Sequence, residues 1–447
     1  MSSLTEDIPM EAEQGANESI RFEFQNYIDQ LNADSEWWKA FKSQSFESYA
    51  NAPMPGRSDE NWRFANRKGL GLDAFDFGAK VVPANSESLI AQSDYTSAQS
   101  GKVVFADNHT LEFNQASQEL QDKGVIWSSL QDALVKHSDL LKDYFMKQDI
   151  DLGSEKFAHL HSAFVANGAL LYIPKGVEIE APFCSYNWSS VENGASFPHM
   201  LVIAEEFSKV SIAEAHLSAG NHTGLSCGVT HLFAGVGAKM DYTLIQNFNE
   251  KTLGFQINSN IAGKDSEVKM NSVNIGCHHY RSETHGQIKG SGAHVDMRSL
   301  ALVDADQEID QRTLQTHSAP NTTSNLLFKN ALTQDAKTIF SGLIKVDECA
   351  QQTDAYQTNR NLLLSNTAEA NSLPGLEIEA NDVKCSHGAT TSEIQDDEIF
   401  YMLARGIPQE AAQELIVYGF FEEILDCIQD EKLAETAREI IREKFKA

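Results

Sequence analysis

The chain has 447 residues, 41% of them hydrophobic, and its 35 Lys and Arg stand against 64 Asp and Glu for a formal charge of −29. That length supplies core for one large or two to three ordinary domains, and the apolar content excludes a disordered chain. The charge argues against nucleic acid or an anionic membrane as the main partner, since both repel it.

Residues 1–18 are polar and acidic and are expected to form a flexible tail. They lack the basic and apolar segments of a secretory signal, which points to a cytoplasmic protein with reduced thiols. A helical region is predicted over residues 19–164. Ile20, Phe24, Tyr27, Ile28 and Leu31 recur at spacings of three and four, and Trp37, Trp38 and Phe41 continue the pattern. Pro53-Met54-Pro55-Gly56 breaks it. A second helical block carries Leu130, Leu134, Leu140, Leu141 and Tyr144. The stretch Phe157 to Tyr172 is too interrupted by His159, His161, Ser162, Asn167 and Gly168 to span a membrane.

Residues 165–391 read as a β core. Lys209-Val210-Ser211-Ile212 returns as Lys239-Met240-Asp241-Tyr242, Glu267-Val268-Lys269-Met270 and His294-Val295-Asp296-Met297, at steps of 30, 28 and 27 residues. Apolar and polar residues alternate as in a half-buried strand. Glycine-bearing turns precede three of these strands: Gly235-Val236-Gly237, Gly263-Lys264-Asp265 and Gly290-Ser291-Gly292. Lys337-Thr338-Ile339-Phe340 is expected as a later member, displaced by an insertion around Pro320. Such a period, with strand signals and no helical pattern between, predicts a β-helix. The competing arrangement is an antiparallel sandwich with more frequent strands.

Residues 392–447 read as a helical domain. Ser392 is the expected N-cap of a helix carrying Ile399, Phe400 and Leu403. Gly406 closes it, Pro408 opens a second helix, and a third runs from about Glu431 to Lys446. The apolar stripe has two readings, packing on the end of the solenoid or docking a partner.

Chemistry concentrates at Asp382-Val383-Lys384-Cys385-Ser386-His387-Gly388. On a strand, Cys385 and His387 share a face and present a thiol beside an imidazole, donors suited to iron, copper or zinc. Two ligands do not complete a site. The others must come from elsewhere in the fold, with Cys349 and Cys427 as in-chain thiols, or from another chain. Cys277-His278-His279 and His159-Leu160-His161 also place metal-capable groups two apart, although packed, hydrogen-bonded residues are the commoner outcome. The sequence has no CxxC pair, no phosphate loop, no GxGxxG and no HExxH, and Gly224-Leu225-Ser226-Cys227-Gly228 lacks the nucleophile-elbow form. Asp304, Asp306, Glu308 and Asp310 alternate, as a solvated acidic strand face or as the carboxylates of a carbohydrate-active β-helix enzyme.

Leu376-Glu377-Ile378-Glu379-Ala380-Asn381 followed by Asp382 to Thr390 resembles the signature of the SufB/SufD family, in its SufD form. Phe400 to Pro408, Asn359 to Leu364 and Glu60-Asn61-Trp62-Arg63-Phe64 fit the same family. The resemblance implies a right-handed parallel β-helix between helical regions, and a non-enzymatic scaffold subunit for iron–sulfur cluster assembly. It implies pairing with SufB through the β-helices, binding of the ATPase SufC through the C-terminal helices, and a homodimer when the subunit is isolated. A transient cluster would form at the SufB–SufD interface, with His387 as this chain's ligand and Cys385 beside it. A flavin is compatible with the family and leaves no mark in the sequence. Thr390 to Ile394 follows the SufB version more closely, but a SufB-type paralogue is expected to lack the Cys-x-His pair and to carry an N-terminal cysteine cluster that is absent here.

Overall fold

The computed structural model describes residues 10–31, 36–56, 58–78 and 83–446. It is mainly β, with a parallel solenoid of about eight turns at its centre and helices at both ends of the chain. Two ten-stranded sheets enclose a narrow lumen. The first sheet stacks Lys209–Ser218, Lys239–Asn247, Glu267–Asn274, His294–Val303, Thr323–Leu332, Asp354–Leu363 and Lys384–Glu393. The second stacks Gly224–Ala234, Thr252–Ala262, His279–Ile288, Glu308–His317, Lys337–Val346 and Glu369–Ile378.

The repeat in the sequence is the register of the first sheet. Lys209 pairs with Lys239, Lys239 with Glu267, and Glu267 with His294. One expectation is corrected: Lys337-Thr338-Ile339-Phe340 lies in the second sheet, between Glu308–Gln311 and Glu369–Ser372. The next member of the first sheet is Thr323-Ser324-Asn325-Leu326, in register with His294–Met297, so the coils run past Pro320 without an insertion. Ser324 takes the place that Val295 fills one coil earlier, and a hydroxyl there breaks the apolar alternation.

Six of these seven strands, all but the terminal Lys384–Glu393, are entered through the same kink. Phe207, Gly237, Asp265, Gly292, Asn321 and Gln352 all have φ between 53° and 76°, and each precedes its strand by two residues. Only glycine takes this backbone without cost. At Gly237 a side chain is also excluded by the coil before it, because a Cβ would lie 2.5 Å from the Phe207 ring.

The lumen is apolar toward the N-terminal end, where Val210, Ile212, Met240, Tyr242, Val268, Met270, Val295 and Met297 stack. Toward the other end it becomes a hydrogen-bonded ladder. Asn330 donates to Asn361 at 2.9 Å, Asn361 to Thr391 at 3.3 Å, and Ser372 to Asn359 at 2.6 Å. Such amides are tolerated inside because the stacked coils pair them.

The helices Met10–Gln30, Glu36–Asn51 and Glu155–Phe164 form a head on the outer face of the second sheet, where Phe157 stacks on Phe255 at 3.8 Å. The first of these helices already begins at Met10, which corrects the tail expected through residue 18; residues 1–9 lie outside the described residues. The region expected to be helical also contains the strands Gly101–Ala106, His109–Asn114 and Ile126–Ser129. They extend the two sheets at their N-terminal end. Lys102-Val103-Val104-Phe105-Ala106 is buried throughout, so it carries no alternation to betray it.

At the other end of the chain, Gln409–Leu425 and Glu431–Lys446 lie along the flank of the first sheet, not on the end of the solenoid. Strand Lys384–Glu393 runs through Ser392, and the helix Asp396–Leu403 starts only after Gln395. Ser392 is therefore a strand residue and not the N-cap. No helix among the described residues is long and apolar enough to cross a membrane.

Candidate functional site

Cys385 and His387 sit on Lys384–Glu393, the terminal strand of the first sheet. Their register partners are Ala355 and Gln357, both buried. Residues two apart on a strand share a face, and Asn361 reaches Thr391 on that face. Cys385 and His387 therefore point along the lumen side, but no further coil covers them. Cys385 is half-buried against Ile344, Val346, Ala350, Ala355 and Ala380, while His387 is exposed. Burial pushes the Cys385 thiol up, the Ala355 backbone offsets this in part, and the Asp354 carboxylate adds to the rise. The thiol is thus protonated at neutral pH.

Each of these residues ends a row that runs the length of the sheet. Val210, Met240, Val268, Val295, Ser324, Ala355 and Cys385 stack in one row. Ile212, Tyr242, Met270, Met297, Leu326, Gln357 and His387 stack in the next. The segment Lys384-Cys385-Ser386-His387 is therefore one more copy of the repeat that begins at Lys209. The sequence carried this signal, and sequence reasoning missed it because a thiol and an imidazole had replaced the apolar pair.

Around the mouth, Leu376 and Ile378 are exposed although the residues beneath them, Ile344 and Val346, are fully buried. Pro374 lies on the terminal strand of the second sheet and has no N–H to offer a further coil. Lys384–Glu393 has no proline, so its outer edge keeps its donors.

Among the described residues no group of three His, Cys, Asp or Glu is arranged to hold a metal ion. The in-chain thiols do not complete the pair. Cys427 lies against the flank, where Arg298 donates to its sulfur, and exposed Cys349 donates to the Ser318 carbonyl at 3.4 Å. Cys277 is buried, and His279 packs against Gly69 in the head. His161 is fully buried; its Nδ1 donates to the Cys227 carbonyl at 2.8 Å, and its Nε2 shares a hydrogen bond of 3.0 Å with His199 Nδ1. His231, on the neighbouring strand, lies 6.1 Å ring to ring from His199.

The four alternating carboxylates are not a solvated strand face. Asp304 and Asp306 precede the strand Glu308–His317, Asp304 pairs with Lys444, and Glu308 accepts from the Asn66 backbone at 2.7 Å. Asp310 is buried between Arg281 and Arg312. Arg281 also donates to Glu283 at 2.8 Å and to the carbonyls of Asn61 and Leu152, and it lies 3.9 Å from the Trp62 ring. Arg312 donates to the Arg63 carbonyl at 2.9 Å. The Glu60-Asn61-Trp62-Arg63-Phe64 segment is thus the clamp that fastens the head to the solenoid.

The helix Asp396–Leu403 contributes little to the core. Phe400 is 70% exposed and Tyr401 57%, and Leu403 and Leu415 stand out beside them. Phe400, Tyr401 and Leu403 leave apolar surface on a helix that packs mainly on Gln409–Leu425, and Leu415 adds to it from that second helix.

A family model for the SUF system FeS cluster assembly SufBD core domain matches residues 187–420, and one for the SufBD protein N-terminal region matches residues 22–184. The chain is 26% identical to the iron–sulfur cluster assembly protein SufD of Bacillus subtilis, over 97% of this chain and 99% of that protein. It is 24% identical to SufB of the same organism, over 88% and 86%. A SufBD family protein of Staphylococcus saprophyticus is 24% identical over 92% and 89%.

Proposed function

Since the chain belongs to the SufB/SufD family of iron–sulfur cluster assembly proteins, we propose that it is a SufD-type scaffold subunit that supplies one half of a shared assembly site. The observation that carries this reading is the placement of Cys385 and His387 on the uncovered terminal coil. Two donors at an open sheet edge invite the remaining ligands from a second chain. The partner is a SufB-type subunit whose own terminal strand seats against Lys384–Glu393, with Leu376 and Ile378 buried by the contact. The nascent cluster is cargo of the complex: His387 supplies a neutral imidazole nitrogen, and Cys385 supplies a sulfur once iron displaces its proton. The apolar face of Phe400, Tyr401 and Leu403 docks a SufC-type ATPase. That leaves nucleotide chemistry to the partner, in keeping with a sequence that has no phosphate loop.

The test is anaerobic reconstitution with SufB-type and SufC-type partners. His387→Ala is expected to leave the three-protein complex intact on size exclusion and to lower cluster absorbance by tenfold or more. Full cluster yield from that variant removes His387 from the site, and failure of the wild-type chain to associate overturns the scaffold reading. The carbohydrate-enzyme alternative lacks support, because Asp310 is held between two guanidinium groups.

A further inference from the structure

Gln357 lies one coil beneath His387, in register with it and on the same lumen face. It is fully buried, and its carboxamide oxygen Oε1 has no hydrogen-bond partner. Leaving a buried acceptor unpaired costs about 1–3 kcal/mol, so such an atom asks for an explanation.

The amide is not free to turn. Nε2 donates across the lumen to the Gly342 carbonyl at 3.2 Å, a bond that the oxygen cannot replace. Gly342 makes room for it, since a Cβ there would lie 2.7 Å from both amide heteroatoms. With Nε2 engaged, Oε1 is the end left over. Elsewhere in this end of the solenoid, residues one coil apart do bond to each other. Asn330 donates to Asn361 at 2.9 Å, Asn361 to Thr391 at 3.3 Å, and Thr322 and Thr353 share a bond of 3.2 Å. Gln357 and His387 occupy the same stacking relation, in which neighbouring strands lie about 4.8 Å apart.

An imidazole that ligates a metal through one nitrogen regularly donates its other N–H to a fixed oxygen, which selects the tautomer and aims the ring. We propose that Gln357 is the positioning residue of His387: its carboxamide oxygen accepts the imidazole N–H and turns the other ring nitrogen out of the mouth of the lumen toward iron. This rests on His387 being the cluster ligand. On the row that ends in His387, Ile212, Tyr242, Met270, Met297 and Leu326 precede Gln357, so the first residue with an amide stands directly under the imidazole.

The test needs no cluster. The full chain is labelled with ring-15N histidine, and His387→Asn assigns the His387 signals in two-bond 1H–15N spectra. In the wild type His387 is expected as a single neutral tautomer. Gln357→Leu should mix the two tautomers, and Gln357→Glu, which keeps an acceptor, should restore one tautomer. A mixed wild-type tautomer overturns the proposal without any variant, as does a distribution that Gln357→Leu leaves unchanged. Co2+ serves as the metal probe, followed through broadening of the His387 signals. Its apparent affinity should fall 10–100-fold in Gln357→Leu, and equal affinity overturns the positioning role. If the tautomer behaves as expected while His387→Ala still assembles a full cluster in the reconstituted complex, the pairing stands and the cluster reading alone falls.

Discussion

Lowering the pH from 7 to 5 should loosen the helical head, because His161 and His231 are held as neutral imidazoles between the head and the second sheet. Burial pushes both down to about 3 from an ordinary value of 6.5. An unfolded chain takes up protons on both as the pH falls through 6.5, whereas the folded chain does not until about pH 3. Their contribution is therefore present in full above pH 6.5 and is lost progressively between 6.5 and about 3. Each histidine loses about 1.4 kcal/mol per pH unit in that window, so the pair gives up about 4 kcal/mol between pH 6.5 and 5. Carboxyl groups raised by burial act in the opposite sense, among them Asp241 at about 6. The decisive quantity is thus a difference between two proteins. Both ring nitrogens of His231 lack partners, so His231→Leu strands no hydrogen bond. Urea unfolding at pH 7, 6 and 5, followed by the fluorescence of head residues Trp38 and Trp62, should give this variant a slope against pH shallower by about 1.4 kcal/mol per unit below pH 6.5. Parallel lines for the two proteins would refute the argument.

Two further outcomes follow from the packing. Arg281→Met leaves Glu283 buried without its guanidinium and removes the donor to Asn61 and Leu152. It should cost about 3–5 kcal/mol and expose the segment around Trp62 to limited proteolysis; an unchanged digestion pattern would show that the clamp lies elsewhere. Gly237→Ala meets the Phe207 ring at a backbone φ of +64° and should lower stability by about 1–3 kcal/mol in urea. The double variant with Phe207→Ala should recover the steric part of that loss and keep the backbone part.

What was legible in the sequence was what repeats. The alternation at Val210, Met240, Val268 and Val295 gave both the solenoid and its register, because coils of one length put equivalent residues in one row. Legibility failed where the row changed chemistry. Ser324, Gln357, Asn359 and Asn361 are as buried as any valine, yet they read as polar surface, since their partners lie across the lumen or in a neighbouring coil. The same cause hid the clamp. Arg281, Glu283, Asp310 and Arg312 look like solvated charges along a strand, and only the head, placed from 220 residues away in the case of Asn61, neutralises and covers them. Cys385 and His387 were found as a pair, but spacing alone says nothing of exposure. That follows from the coil count, which leaves them on the last turn.

The proposed half-site is carried by the solenoid in an unusual way. In most folds functional side chains stand on loops held by a scaffold. Here the donors stand on the scaffold itself, at two lumen positions that every earlier coil fills with core residues. The stack beneath them sets their spacing and direction, so no loop has to be ordered before a partner arrives. Under the proposed pairing with His387, the same stacking gives a reason for the lumen to turn from Met270 and Met297 to Gln357 before it ends. An imidazole aimed at a metal needs a polar atom behind it, and an apolar row could not supply one. On the proposed reading, a side chain that is core in the sixth of these strands becomes the support of a ligand in the seventh, with no change in the path of the backbone.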